Sequence, residues 1–381
     1  MKIKTSWGVN GNQGISPYGT LSQVVSGSSG GIRYQFGNIP DILYGIKINT
    51  LGNSLLGWEK TSSFNGGIES AFLDNRINLD VDFYFSRTID QLFERQIPVM
   101  TGFKTILASM GQVNNKGIEI NLRTSNIVRN DFEWESHLTF WSNRNVLDKL
   151  YGDDMDGNGK EDDDISNNLF IGKSLGAIYG YRQDGIVQES DTEYISKNGV
   201  KPGDAKFKDL DGDGIISSAD REVLGYDKEN FKLNLGNTVR YKNFELYVLF
   251  TGVFGGNGYY MSSNKPAYLV SSDKVGNNIL DHAWWTAENK SSVYPSATYN
   301  DSKFLGLQKR TFVRLQDVTL SYTFNQNFLK KMKFESMKVF VAGKNLFYVT
   351  GWDGGDPELA QTLGSTYPVP TTYTLGLNVS F

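Results

Sequence analysis

The feature that most constrains this chain is the alternation in its last ten residues, 372–381, which read TYTLGLNVSF. Apolar or aromatic side chains occupy every second position, and the positions between them are polar or glycine. A period of two predicts a β-strand with one apolar and one polar face. In a soluble β-sandwich the apolar face would point into a core, whereas in a membrane β-barrel it would face lipid. The terminal Phe381 favours the membrane, because aromatic rings are enriched at membrane interfaces.

The composition of the chain agrees with an all-β protein. Its 381 residues include 41 glycines, 13% are aromatic, and only 39% are hydrophobic. The sequence has no run of about 18 apolar residues, which a transmembrane helix would require, whereas spanning strands need only about 9–11 residues. A net charge of −4 argues against a nucleic-acid partner, and the absence of cysteine excludes disulfides and thiol chemistry.

Further alternating stretches predict roughly ten antiparallel strands along the chain. Their connections alternate between short and long, which is typical of a transmembrane β-barrel with short periplasmic turns and long extracellular loops. A large soluble sandwich or propeller is the alternative, but no blade-length repeat is visible. The sequence therefore predicts an all-β fold, a transmembrane antiparallel β-barrel in the outer membrane, in contact with its lipid. The long extracellular loops are predicted at about 11–56, 89–107, 146–230, 252–310 and 351–370.

The segment 209–220 has the spacing of a twelve-residue EF-hand calcium loop. Oxygen ligands fall at the first, third, fifth, ninth and twelfth positions, and a glycine stands sixth, where the loop must turn sharply. The alternative is a solvated acidic turn held by its own hydrogen bonds. Because no amphipathic helices flank the segment, we expect a structural Ca²⁺ ion that stiffens an external loop. The predicted ligands are Asp209, Asp211, Asp213, Ile215 through its carbonyl, Ser217 and Asp220.

A second acidic segment begins with the same spacing. Asp154, Asp156 and Asn158 would be its first ligands, and Gly159 stands at the turn position. The match then fails, because Ile165 occupies the twelfth position and offers no side-chain oxygen. This segment is therefore a candidate second Ca²⁺ site, with a solvated run of charges as the alternative.

Aromatic residues in the predicted loops are candidates for stacking on a sugar ring of a substrate, although they could equally pack the loops together. These residues are Tyr259, Trp284, Trp285 and Trp352. The two histidines, His137 and His282, are isolated and form no catalytic or metal-binding motif. The sequence therefore predicts that the protein is not an enzyme.

Eight short motifs occur in an order that is familiar from one protein family. The motifs are GVNGNQ at 8–13, GWEKT at 57–61, NKGIE at 115–119, GY at 180–181, PGD at 202–204, the acidic loop at 209–221, NLF at 345–347 and DPE at 356–358. Each motif is weak alone, but together they resemble the C-terminal part of SusC/RagA-type TonB-linked outer-membrane proteins of Bacteroidota. The resemblance covers essentially the whole chain.

The resemblance implies a barrel of about 22 strands with a plug inside. It implies import of nutrients such as oligosaccharides or peptides, a SusD-like surface lipoprotein as lid, and the TonB complex as the source of energy. The first residues lack the apolar stretch of a signal peptide. We therefore expect the C-terminal portion of a longer importer, or a stand-alone remnant, without plug and signal peptide. The alternative function is a secreted or surface adhesin module that Ca²⁺ stabilises.

Overall fold

The computed structural model describes residues 1–15, 17–27, 33–34, 43–259, 282–359 and 369–381. The parts of the predicted long loops at 28–32, 35–42, 260–281 and 360–368 lie outside the described residues. Among the described residues, no helix is both long and apolar enough to cross a membrane.

Twenty strands and two α-helices are described. The strands are β1 (Lys2–Asn12), β2 (Gln23–Ser26), β3 (Arg33–Tyr34), β4 (Leu43–Tyr44), β5 (Ile46–Thr50), β6 (Glu59–Phe72), β7 (Ile77–Gln96), β8 (Thr105–Arg129), β9 (Phe132–Lys149), β10 (Ala177–Tyr181), β11 (Gln183–Ile186), β12 (Ala205–Phe207), β13 (Arg221–Tyr226), β14 (Glu229–Tyr241), β15 (Phe244–Gly255), β16 (Asn257–Gly258), β17 (Gln308–Lys309), β18 (Phe312–Thr323), β19 (Ser336–Thr350) and β20 (Thr372–Ser380). The helices are α1 (Thr192–Asn198) and α2 (Gln326–Met332), and 3₁₀ turns lie at Val99–Thr101, Ile165–Asn167 and Ser218–Asp220.

Ten long strands form one antiparallel sheet, which we call the main sheet. Its order is β1-β6-β7-β8-β9-β14-β15-β18-β19-β20, so each strand pairs with the next long strand along the chain. The prediction of roughly ten antiparallel strands is confirmed. The sheet is not closed into a barrel, since β1 and β20 are its two edges.

The two faces of the main sheet differ in polarity, as the alternation requires. On one face apolar side chains lie opposite each other in rows that cross several strands, such as Ile68, Val81 and Ile120. This face is exposed even where it is most apolar, since Leu375 is 77% exposed. On the other face charged pairs lie opposite each other, such as Arg240 and Glu245. We call these the outward face and the lumen face.

The turns after β6, β8 and β14 and the connection after β18 lie at one end of the main sheet, and aromatic residues surround them. Phe244 pairs with Tyr241 across the turn between β14 and β15, and its ring lies 4.8 Å from Tyr322 on β18. Phe381 packs its ring 5.2 Å from Phe334, which follows α2. Aromatic rings at one depth are what a membrane interface requires of a barrel. The other end, where the long connections lie, is called the mouth end.

The strands β7 and β8 run farther than the sequence predicted. The predicted loop at 89–107 is mostly strand, and the connection is only 97–104. Register shifts between Ile89 and Gln91, and again before Leu92, break the alternation there, which hid the strand in the sequence. Because spanning needs only about 9–11 residues, this hairpin extends well beyond the membrane.

Candidate functional site

The long connections at the mouth end pack together around a shared apolar core. The predicted loop at 146–230 contains β10 to β13 and α1, so it is a folded segment and not an irregular loop. We call the shared core the loop core. Its buried residues come from three different connections and are Ala205, Phe207, Ile216, Tyr299, Phe304 and Trp352. Connections that are far apart in sequence therefore form one packed unit over the mouth.

Trp352, one of the candidate stacking residues, is buried in the loop core. Its side chain is only 5% exposed, so it presents no free ring face to a substrate. Gly258 lies against it, and a Cβ atom there would fall 2.7 Å from the indole. Of the two alternatives for Trp352, stacking on a substrate or packing the loops together, the burial of its ring favours packing.

The other three candidates differ in their surroundings. Trp284 packs against the loop core and meets the ring of Tyr294 edge-on at 5.7 Å. Trp285 lies against Gly203, and its indole N–H donates to Gln188 at 3.1 Å. Both tryptophans therefore hold connections together. Tyr259 is 40% exposed, so a stacking role remains a prediction for this residue.

The acidic loop at 209–220 closes upon itself as its spacing requires. Asp209, Asp211 and Asp213 each offer a carboxylate oxygen within 4.8 Å of the others. Asp209 accepts the N–H of Gly214 at 2.8 Å, and Gly214 has a φ of +83°, a conformation that favours glycine. Three carboxylates therefore converge where a cation with oxygen ligands would bind.

The second half of the same loop is held differently. Asp220 is fully buried and accepts the N–H groups of Ser217 and Leu210, both at 2.7 Å. These backbone hydrogen bonds hold the pKa of the Asp220 carboxyl below its usual range. The N–H of Ile215 donates to Asp213 at 2.6 Å. The structure thus brings three of the predicted ligands together, while Ser217 and Asp220 form a capping box beside them.

Helix α1, which the sequence did not reveal, binds the acidic loop from outside. The Asn198 side chain donates to the carbonyl of Gly214 at 3.1 Å and accepts the N–H of Ile216 at 2.7 Å. The ammonium of Lys197 pairs with Glu193 at 3.0 Å, and the charges of Asp209 and Asp213 further raise its pKa. The acidic loop is therefore integrated into the packed unit and is not a free turn.

The second acidic segment brings together three carboxylates, two of which were predicted ligands. Asp154, Asp156 and Asp162 have carboxylate oxygens within 4.8 Å of one another. Asp154 accepts the N–H of Gly159 at 3.0 Å, the same bond that Asp209 makes in the first loop. Ile165, which the spacing put at the last ligand position, begins a 3₁₀ turn instead. Asp162 stands at the ninth position of this segment, where the EF-hand pattern also takes a ligand, so the ligand match fails only at the twelfth position.

This second segment is bound to the projecting hairpin. Arg95 on β7 donates to both carboxylate oxygens of Asp153, at 2.6 and 2.5 Å. The Tyr151 hydroxyl donates to Asp164 at 3.2 Å, and burial together with Asp164 raises the pKa of Tyr151. A small apolar cluster beneath these contacts contains Val113, Leu147 and Leu150. The hairpin and the segment therefore form one wall of the mouth.

A buried ion pair fixes the connection after β19. Arg314 on β18 is 2% exposed and donates to Asp356 at 2.6 Å and to Glu358 at 3.1 Å. Its guanidinium lies over the rings of Phe312 and Tyr348, at 5.2 and 5.7 Å. The sequence showed the DPE motif without the arginine that binds it, because the two segments are about 40 residues apart.

The lumen face is polar and carries charges of both signs. A hollow of about 400 Å³ on this face is lined by Asp80, Asp82, Glu119, Trp141 and Lys232, among others. His137 also lies on the lumen face, where its Nε2 is 2.9 Å from the side-chain oxygen of Asn121. His282 instead stacks on Tyr294 in the loops, at 4.7 Å. The structure therefore keeps the two histidines in separate surroundings.

Comparison with known proteins relates the whole chain to one family. The family model described as TonB dependent receptor-like, beta-barrel matches residues 4–346. TonB-dependent receptor P3 of Formosa agariphila is 29% identical over all of this chain and 39% of that protein. TonB-dependent receptor SusC of Bacteroides thetaiotaomicron is 28% identical over all of this chain and 37% of that protein. The chain therefore spans about two fifths of the length of these relatives.

Solved structures also share the fold over the full length of the chain. The structure of the RagAB peptide transporter matches with a TM-score of 0.76 at 22% identity, covering all of this chain and 40% of the matched chain. At this identity the likeness shows the shared fold.

Proposed function

Because this chain belongs to the TonB dependent receptor-like β-barrel family, we propose that it forms part of an outer-membrane importer for oligosaccharides or peptides. The resemblance to SusC/RagA-type proteins is confirmed, and these are proteins of the outer membrane. The main sheet therefore spans that membrane, with its outward face toward lipid and its mouth end outside. The alternative of a secreted adhesin module is supported by none of the relatives.

The observation that best supports import is the combination of a polar lumen face with a packed unit at its mouth. A polar solute needs hydrogen-bonding partners along its path, and the lumen face offers carboxylates, amides and hydroxyls. The buried Arg314–Asp356 pair fixes one connection against the wall of this path. The proposed mechanism is gated passage without covalent chemistry.

Three partners follow from the proposed function. A SusD-like surface lipoprotein would cover the packed unit at the mouth end. The TonB complex would act on the complete importer, because the relatives are TonB-dependent receptors and this chain spans about two fifths of their length. The outer-membrane lipid is the third partner, along the outward face.

The test of import compares two neighbouring residues of β8 with opposite orientations. Asn121 lines the lumen hollow, whereas Leu122 lies on the outward face between Leu79 and Leu138. In cells that depend on the complete importer, Asn121→Trp should reduce uptake of labelled oligosaccharides or peptides several-fold. Leu122→Trp should leave uptake unchanged. Equal uptake by both variants, or uptake that persists without TonB, would contradict the proposal.

We further propose that the loop at 209–220 binds a structural Ca²⁺ ion, and that Asp154, Asp156 and Asp162 bind a second one. Support comes from the three converging carboxylates in each loop and from the glycine turn that orients them. Ca²⁺ prefers such oxygen ligands, and sites outside the cell function at weak affinity. The ions would offset the repulsion between carboxylates that lie close together.

The calcium proposal is tested by protease protection of the mouth-end loops with and without Ca²⁺. Ca²⁺ should slow cleavage of the wild-type loops, and the Asp209→Asn/Asp213→Asn variant should lose much of this effect. Asp184→Asn removes an exposed carboxylate of the same region and is the matched control. Identical cleavage rates with Ca²⁺ and with chelator in the wild type would exclude a stabilising ion.

A further inference from the structure

The outward face of four neighbouring strands becomes basic where its apolar part ends. On β7 the last outward aromatic residue is Phe85, and the next outward residue is Arg87. Lys116 on β8 lies opposite Phe85, and Arg144 on β9 lies opposite Lys116. Lys60 occupies the corresponding part of β6. We call Lys60, Arg87, Lys116 and Arg144 the outward basic patch.

The central pair of this patch is electrostatically unfavourable by itself. Lys116 and Arg144 are directly opposite in the register, and like charges in that position destabilise a sheet. Both side chains are exposed, and among the described residues neither forms an ion pair. Arg87 donates to the amide of Gln112, which in turn donates to the carboxylate of Asp148, and Lys60 lies 3.7 Å from Asp90. The positive charge that no neighbouring carboxylate offsets is therefore that of Lys116 and Arg144, and this pair would attract an anion.

The position of the patch matches the level of lipid headgroups. With a rise of about 3.3 Å per residue and a strand tilt of about 40°, the outward apolar part of β7 from Ile77 to Phe85 spans about 20 Å of membrane thickness. This thickness is close to the height of the outward apolar band in membrane barrels, which is about 25 Å. Arg87 and its neighbours therefore lie just beyond the hydrocarbon region, on the external side.

The positive charge on the outward face is confined to the four strands β6, β7, β8 and β9. At the same end of β15, β18 and β19, the outward residues are Phe250, Val313 and Phe347. A hollow of about 470 Å³ beside the patch is lined by four cations, Lys116, Arg144, Lys173 and Lys228, and by one carboxylate, Glu229. A localised patch of this kind favours a particular ligand over a general attraction to the membrane.

We propose that the outward basic patch binds the phosphate groups of an anionic lipid in the outer leaflet. A lipid with two or more phosphates fits best, because the cations extend over four strands and continue into the hollow. The acyl chains of such a lipid would lie along the apolar rows below. The proposal rests on the outer-membrane location and is independent of what the protein imports.

The test measures lipid binding by the whole protein in a neutral detergent. The probe is lipid A, which carries two phosphates, and phosphatidylcholine is the neutral comparison. A cation near an anionic membrane surface contributes about fivefold in affinity. The Lys116→Gln/Arg144→Gln variant should therefore bind lipid A about 30-fold more weakly, with phosphatidylcholine binding unchanged. Arg129→Gln/Lys330→Gln removes two exposed cations at the short-turn end and is the matched control.

Two results would overturn the proposal. One is equal lipid A affinity of the wild type and the patch variant. The other is equally tight binding of inorganic phosphate, which would assign the patch to soluble anions instead of lipid. Because the variant removes a like-charge pair, it should fold at least as well as the wild type, and unchanged mobility of the folded form on gels checks this.

Discussion

Replacing Asp356 with alanine isolates the buried charge that holds the connection after β19. The side chains of Arg314 and Asp356 are 2% and 4% exposed, and their charged atoms are 2.6 Å apart. Without Asp356 the guanidinium keeps one carboxylate partner, Glu358, whose side chain is 56% exposed. Removing one partner of a buried ion pair costs about 3–5 kcal/mol. The free energy that keeps this connection closed should therefore fall by about that amount.

The assay is hydrogen–deuterium exchange of the peptide that covers residues 351–359. A loss of about 3 kcal/mol corresponds to exchange more than about 100-fold faster. Glu358→Ala is the control for an exposed partner, and we expect it to change exchange by less than about tenfold, because exposed pairs contribute about 0–1 kcal/mol. The Arg314→Met/Asp356→Leu variant should restore protection, since an apolar pair replaces buried charges well.

The reasoning would be refuted if Asp356→Ala left the exchange of 351–359 unchanged. It would also be refuted if the double replacement exchanged as fast as the single one, because the cost would then not come from an unpaired buried charge. The hydrogen–deuterium exchange of β14 and β15, which carry neither residue of the Arg314–Asp356 pair, should be the same in all variants.

Three further predictions concern the loop core, pH and the lumen face. Phe207→Ala opens a cavity in the loop core and should destabilise the mouth-end loops by about 3–5 kcal/mol, detected as faster proteolysis there with unchanged gel mobility of the barrel. Because the folded pKa of Asp220 is lowered, its hydrogen bonds contribute stability above its unfolded pKa of about 3.9, and this stability is lost as pH falls through the folded value. Loop protection should therefore decline only below about pH 4, and Asp220→Asn should remove this dependence. Gly376→Ala should lower thermal stability, because the added Cβ would lie 2.1 Å from the Phe340 ring, and Phe340→Ala should restore it in the double variant.

The strands could be predicted because their signal is local. Period-two alternation survives wherever a strand has lipid on one side and a polar lumen on the other, and the short turns separate successive strands. The prediction failed at 89–107 because the register shifts at Ile89 and Gln91 interrupt the alternation. The strands and helix inside 146–230 were missed because they pack within loops and have neither lipid nor lumen to impose a period.

The candidate site was predictable only where its residues are close in sequence. The convergence of Asp209, Asp211 and Asp213 follows from a loop spacing that can be recognised by itself. The roles of Arg314 and Trp352 depend on which connections contact each other across the fold. No local sequence pattern predicts such contacts. A tryptophan in a loop has the same sequence appearance whether it packs inward or faces a substrate.

The central claim is that the main sheet spans the outer membrane with its long connections outside. This chain has no cysteine of its own, so single cysteines can be placed in it within a complete importer freed of any other cysteine, and labelled with a maleimide that does not cross membranes. In intact cells Lys201→Cys in the loops should be labelled, whereas Lys242→Cys in a short turn should be labelled only after the outer membrane is permeabilised. Leu375→Cys on the outward face should resist labelling in both states. Labelling of residue 242 in intact cells, or of residue 375 in either state, would contradict the account.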